Sequence, residues 1–179
     1  MKKEIQLHNR YFELFLDATT IQDKVKELAE QIKKDYAGKP LVLLCVLSGA
    51  FRFAADLARY LDDATEIAFI KVQSYEGIMS SGLVREQLAA TVNLSGKHVL
   101  LVEDIVDTGT TIHYLMGKLY QKAPASLKVA TLLFKPEALK QAVELHYVGF
   151  EIPNHFVVGY GLDYEEQGRC LNDLYILKA

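Results

Sequence analysis

Cysteine is scarce in this chain of 179 residues, where only Cys45 and Cys170 occur. Two are too few for a disulfide framework, and Cys45, set in an apolar run, reads as a small core residue. Positive charge is not in surplus either. Twenty Lys and Arg against 23 Asp and Glu leave a net charge of −3. That argues against a dedicated nucleic-acid binder, though not against a local basic patch. No stretch approaches the run of about 18 apolar residues that a membrane span needs. The opening MKKEIQLHNRYFELFL is interrupted by Glu4, Arg10 and Glu13, too broken for a signal peptide. His and Cys form no ligand cluster of the kind a structural zinc requires. Repeats, low-complexity tracts and linkers are also missing. With 50% hydrophobic and 24% charged residues, the expectation is one cytoplasmic domain spanning 1–179 with a single sizeable core.

Periodicity then alternates between helix and strand. Residues 19–38, TTIQDKVKELAEQIKKDYAG, place Ile21, Val25, Leu28, Ala29 and Ile32 on one helical face. Thr20 and Asp23 suit a capping box at its start, and Gly38 and Pro40 stop it. PLVLLCVL, at 40–47, is a continuous apolar run, as a strand buried on both faces requires. GAFRFAADLARYL (49–61) reads as a helix and TEIAFIKVQS (65–74) as a strand. YEGIMSSG (75–82) has no period and reads as a loop, with a short strand in REQLAATVN (85–93). KHVLLVED, TTIHYLMGKLYQKA and SLKVATLLFK supply strand, helix and strand; HFVVGYG and LYILK close the chain as shorter strands. Such alternation predicts an α/β fold: a mostly parallel twisted sheet flanked by helices on both faces.

One stretch carries chemistry. VLLVEDIVDTGTTI, at 99–112, runs four apolar residues into Glu103 and Asp104, adds Asp107, and ends in threonines around Gly109. Buried carboxylates are costly without partners. In an open α/β sheet, ligands gather beyond the carboxyl ends of the strands, where Glu103 and Asp104 fall. The turn from Asp107 to Thr111 starts the next helix, so its N–H groups form an anion-binding nest at the positive end of the helix dipole. Thr108, Thr110 and Thr111 add hydroxyl donors. A phosphate cup beside acids makes sense for a ligand with hydroxyls next to its phosphate, such as ribose 5-phosphate. The ordinary alternative is a chance turn with capping threonines and solvated acids.

This stretch closely resembles the phosphoribosyl-diphosphate signature of the type I phosphoribosyltransferases, and more narrowly the hypoxanthine (hypoxanthine-guanine) branch. Further matches are VLSGAF at 46–51, QSY at 73–75, Lys135 ending its strand, and FVVGYGLDYEEQGR at 156–169. The resemblance implies the type I fold with a small hood formed by terminal segments. It implies transfer of phosphoribose from 5-phosphoribosyl 1-diphosphate to N9 of a 6-oxopurine base. The products would be a nucleoside monophosphate and pyrophosphate. Mg²⁺ would be the cofactor, and a homodimer or homotetramer the assembly, the helix bearing Phe51 and Phe53 offering apolar surface.

Residue by residue, the resemblance makes Asp107 the acid facing N7, as general base or hydrogen-bond partner; its ordinary alternative is a helix cap. Glu103, Asp104 and the turn to Thr111 would hold phosphoribose. Lys135 would meet the exocyclic O6, Phe156 would stack on the purine, and Val157 would contact it through backbone groups. Asp163 would serve the purine and Mg²⁺–pyrophosphate site, with Glu103 and Asp104 as further metal candidates. Arg169 would bind pyrophosphate oxygens together with the Ser48–Gly49 loop. Many relatives have lysine where this chain has Ser48, which removes one positive charge. Ser74 and Tyr75 match a flexible cover over the reacting centre. Outside the resemblance, Phe156 is ordinary core, Lys135 a solvated strand end, and Asp163 with Arg169 a surface ion pair. Two rivals from other classes stay open: a receiver-type signalling domain, and a nucleic-acid-binding regulator built on the same fold.

Overall fold

The apolar runs of the sequence become the centre of a six-stranded sheet. The computed structural model describes residues 3–74, 84–88 and 92–178. Strands β3 (Leu41–Leu47), β4 (Glu66–Ser74), β6 (His98–Val106), β7 (Ser126–Phe134) and β8 (Tyr147–Glu151) run parallel in the order β4-β3-β6-β7-β8. β5 (Val84–Leu88) adds an antiparallel edge beside β4. Helices α1 (Ala18–Asp35), α2 (Phe51–Ala58) and α3 (Thr110–Tyr120) pack on its faces.

Alternation along β3 shows how both faces are used. Leu41, Leu43 and Cys45 join the core under α1 and α2, whereas Val42, Leu44 and Val46 join the core under α3. Period-two side chains on a strand covered by helices on both sides must all be apolar, which is why this segment shows no polar alternation. The expected doubly covered α/β architecture is what the chain adopts.

A second, antiparallel sheet forms the hood, and its Val157 and Leu174 join the core under α1 and α2. Its order is β1 (Glu4–Leu7), β2 (Arg10–Leu16), β10 (Leu174–Leu177), β9 (Val157–Gly159), so both ends of the chain build it. β1 and β2 fall in a segment for which the sequence suggested no strand, and β8 was likewise missed.

Two local expectations need correction. The cap of α1 is Asp17, whose Oδ1 accepts from the Thr20 N–H at 2.9 Å and whose Oδ2 accepts from the Thr20 hydroxyl at 3.1 Å. Thr20 thus lies inside the helix, and the Thr20–Asp23 capping box does not form; an acid can fill the cap position as well as a hydroxyl. Phe53 is fully buried in the core beneath α2, so of the two phenylalanines offered as contact surface only Phe51 is exposed. No helix among the described residues is long and apolar enough to cross a membrane.

Candidate active site

The carboxyl end of β6 leads through Asp107, Thr108 and Gly109 into α3. Gly109 is the N-cap, with φ +79° and no side-chain cap. A Cβ there would be strained by that φ and would meet the Gln141 carbonyl at 2.6 Å. The Thr108 carbonyl accepts from the Lys140 and Gln141 N–H groups at 3.0 Å each, which fixes the turn against the segment after β7. Thr110, Thr111 and Ile112 line a small concavity with Glu103 and Asp107. The Thr110 N–H has only a long contact to the Thr108 hydroxyl, at 3.4 Å, and Gly109 supplies no capping side chain, so the start of α3 is suited to an anion.

β7 lies beside β6 and delivers Lys135 to the same edge; the Lys135 N–H donates to the Val106 carbonyl at 2.9 Å. The side chain is buried, at 6% exposure for the residue, and its Nζ donates to Asp107 Oδ2 at 3.2 Å. Lys135 and Asp107, 28 positions apart in the chain, are therefore one charged unit beside the turn.

Glu103 is buried at 8% exposure and its Oε2 has no hydrogen-bond partner among the described residues. Burial, reinforced by the neighbouring Asp104 carboxylate, pushes its pKa well above the ordinary glutamate range. Burial also raises Asp104, opposed by contact with Glu103, by the Ile105 N–H at 2.8 Å, and by the charge of Arg169.

Asp104 points at the turn between β3 and α2. A Cβ on Gly49 would overlap its carboxylate, so any other residue there would have to displace the Asp104 side chain. A Cβ on Gly161 would in turn overlap the Gly49 carbonyl. Two glycines thus let the β3–α2 turn touch both Asp104 and the segment following β9. The Leu47–Ser48 peptide in this turn is cis.

Beyond Gly161, Arg169 Nη2 pairs with Asp163 Oδ1 at 2.8 Å, and Nη1 donates to the Gly161 carbonyl at 2.9 Å. Asp163 Oδ2 accepts from the Glu166 N–H at 2.9 Å. Phe156 is 47% exposed, and its ring meets Tyr164 edge-on at 5.9 Å and Phe12 at 6.4 Å. Val157 is buried in β9, paired with Ile176. Ser74 ends β4, and Tyr75 lies outside the described residues.

Residues 15–165 match the family model for a phosphoribosyl transferase domain. The chain belongs to the phosphoribosyl transferase family. A hypoxanthine-guanine phosphoribosyltransferase of Streptococcus pneumoniae is 42% identical over 173 residues, 96% of each chain. One from Mycobacterium tuberculosis is 46% identical over 166 residues, 89% of this chain and 82% of the other. Among solved structures, a hypoxanthine phosphoribosyltransferase of Staphylococcus aureus superposes with a TM-score of 0.88 at 42% identity, covering 93% of this chain and 91% of that one. A receiver domain is thereby excluded.

As a phosphoribosyl transferase, the chain gathers the Asp107–Thr111 turn, the buried Glu103, the half-buried Asp104 and the Arg169 guanidinium near one end of the sheet. Reading the sequence alone overlooked three contributors. Gly161 gave a signal in the alternating glycines of GYGLD, which mark unusual backbone or close approach. Tyr164 and Phe12 gave none, since an aromatic beside a strand reads as core. No cluster of three or more His, Cys, Asp or Glu side chains that could enclose a metal occurs among the described residues.

Proposed function

We propose that this phosphoribosyl transferase moves phosphoribose from 5-phosphoribosyl 1-diphosphate to N9 of hypoxanthine, and also of guanine, giving IMP or GMP and pyrophosphate. The observation that carries this reading is the buried Lys135 held 3.2 Å from Asp107 beside the phosphate turn. An ammonium suits an exocyclic oxygen acceptor and disfavours the donor amino group of adenine. Names of relatives in the hypoxanthine-guanine class support the same choice.

Roles follow from the groups at hand. The turn from Asp107 through Thr108, Gly109, Thr110 and Thr111 grips the 5-phosphate, and Glu103 and Asp104 accept hydrogen bonds from the ribose hydroxyls. As the bond from C1 to pyrophosphate loosens, positive charge builds on the ring, and these acids, Glu103 buried and Asp104 half-buried, face it with little competing water. Asp107 takes the proton released as the purine attacks. Phe156 stacks on the base and Val157 presents backbone groups to it. Arg169, with the Ser48–Gly49 turn, holds the leaving pyrophosphate. Ser48 contributes no charge, so Gly49 and backbone N–H groups carry that contact.

Mg²⁺ fits this donor set. It prefers hard oxygens, and it binds through one or two carboxylates plus substrate phosphates rather than inside an all-protein cage. Glu103, through its unpaired Oε2, Asp104 and Asp163 are the candidate carboxylates, one or two of them serving an ion rather than all three enclosing it. When bound it would neutralise charge on the diphosphate.

Exposed Phe51, Ile67 and Phe69 suit a homodimer or homotetramer. A net charge of −3 speaks against a nucleic-acid regulator on this fold, and a cytoplasmic enzyme without membrane attachment is the setting we infer. The deciding experiment incubates the protein with donor, Mg²⁺ and each of hypoxanthine, guanine, xanthine and adenine. Turnover of hypoxanthine and guanine but not adenine is expected; no turnover of any 6-oxopurine rejects the reading.

A further inference from the structure

Beside the site, on the exposed start of α2, Arg52 forms contacts that the roles above do not use. Its Nη1 donates to the Leu171 carbonyl at 2.6 Å and to the Cys170 carbonyl at 3.1 Å, and its Nη2 donates to Asn172 Oδ1 at 2.7 Å. The same guanidinium lies over the Tyr160 ring, 5.2 Å from its centroid. Tyr160 is buried at 1% exposure, and its hydroxyl donates to Asp56 Oδ2 at 2.6 Å. Gln22 Nε2 donates to that same oxygen at 2.6 Å. Arg52 and Asp56 are one helical turn apart, so they share a face of α2 and grip Tyr160 by its ring and its hydroxyl.

What the grip holds is the segment carrying Arg169. Tyr160 immediately precedes Gly161, and its N–H donates to the Leu171 carbonyl, at 2.9 Å, the carbonyl that Arg52 also binds. The Gly161 N–H donates to the Arg169 carbonyl at 3.1 Å, and Arg169 Nη1 returns to the Gly161 carbonyl. The residues just before and just after the Gly161–Arg169 loop are therefore both anchored on α2. That helix begins two residues after Gly49, the turn on which Gly161 packs.

We propose that Arg52 is a positioning residue: it fixes Arg169 against the Gly49 turn so that both meet the leaving pyrophosphate. The inference rests on the pyrophosphate role of Arg169 proposed above. A planar fork bound to three oxygens sets a loop more tightly than one point contact. Small misplacements of a binding group cost rate and affinity steeply.

The test compares Arg52→Met, Arg169→Met and the double variant in the full chain, with a thermal melt to establish folding. Steady-state constants are measured for the donor, for hypoxanthine, and for pyrophosphate in the reverse reaction. Arg52→Met is expected to raise KM for donor and pyrophosphate about tenfold while KM for hypoxanthine stays within about twofold. Because Arg52 acts through Arg169, the double variant should bind donor no worse than Arg169→Met alone. Should Arg52→Met fail to fold, Arg52→Lys carries the same test, since it keeps the charge and loses the fork.

Equal shifts for donor and base, or effects that multiply in the double variant, overturn the proposal. So does an unchanged donor KM in Arg52→Met when Arg169→Met raises it. Unchanged donor and pyrophosphate constants in Arg169→Met would instead remove the pyrophosphate reading itself.

Discussion

Lys135 and Asp107 illustrate how a charge is kept ready without being spent on stability. The lysine is 6% exposed and reaches a carboxylate whose side chain is 45% exposed, so one member of the pair remains open to a ligand. Removing one member of a fully buried pair would strand the other charge, but the half-exposed Asp107 carboxylate stays solvated when Lys135 is replaced by an apolar side chain of similar volume. Lys135→Met is therefore expected to melt near the parent temperature. Its kcat/KM for 6-oxopurines should fall by about ten- to a hundredfold, the worth of a hydrogen bond to a charged group. Parallel melting curves and base-dependent kinetics check both halves; undiminished oxopurine activity would remove Lys135 from the base site. Glu103 shows the opposite balance. Its pKa is raised by burial above the ordinary 4.5, so its share of stability is fully present below that value and is lost as pH rises through the folded-state pKa. Glu103→Gln keeps the shape and removes the buried charge. Its melting temperature should exceed the parent's by a margin that widens as pH climbs from 4.5, at roughly 2–4 °C per kcal/mol, while donor affinity falls. A margin independent of pH contradicts this account of Glu103.

Elements differ in how openly the sequence announces them. β3, β6 and β7 are buried on both faces, so their apolar runs stand out, and the βαβ alternation around them gives the fold class. β1 alternates polar and apolar but over only four residues, while Arg10 and Glu13 break any period in β2; β2 pairs with β1 on one side and, on the other, with β10 from the far end of the chain. A contact of that range leaves no local mark. The same holds at the site. The turn proposed to hold phosphate is local, so VEDIVDTGTT announces its glycine and helix start, whereas Arg52 reads as one more solvated helix cation until its acceptors, some 120 positions away, are in place. β8 is held at its start by His146, whose Nδ1 accepts from the Val129 N–H at 3.3 Å and whose own N–H donates to the Val129 carbonyl. Burial foremost, with Lys128 adding, lowers the His146 pKa from 6.5 against the opposing pull of Glu144. A lowered histidine pKa means the unfolded chain binds the extra proton more readily, so this contribution is intact above 6.5 and lost as pH falls below it. Denaturation from pH 8 to 5.5 should show a downward slope below about 6.5 that His146→Ala flattens. An identical slope in the variant would assign the titration elsewhere.

At the scale of the whole molecule, the sheet and the hood are unequal partners. Two extensive cores line the faces of the parallel sheet, whereas the hood lends Val157 and Leu174 to one of them and buries Phe12, Val158 and Tyr175 in a small core of its own. Units that bury less apolar surface open more readily, so hood amides should exchange with solvent ahead of those in β3, β6 and β7. The groups proposed to act on substrate divide along the same line. Glu103 to Thr111, Lys135 and Gly49 belong to the sheet and its turns, while Phe156, Asp163 and Arg169 flank or follow β9 of the hood. A nucleotide touching both sets binds only the closed arrangement and must stabilise it by mass action. Hydrogen exchange with and without saturating IMP tests this directly. Amides in Arg10–Leu16, Val157–Gly159 and Leu174–Leu177 are expected to slow together on adding nucleotide, with little change in Leu41–Leu47, which already opens only on global unfolding. Protection confined to the turn at Asp107, with the hood exchanging as before, would mean that purine and phosphoribose are gripped by the sheet alone.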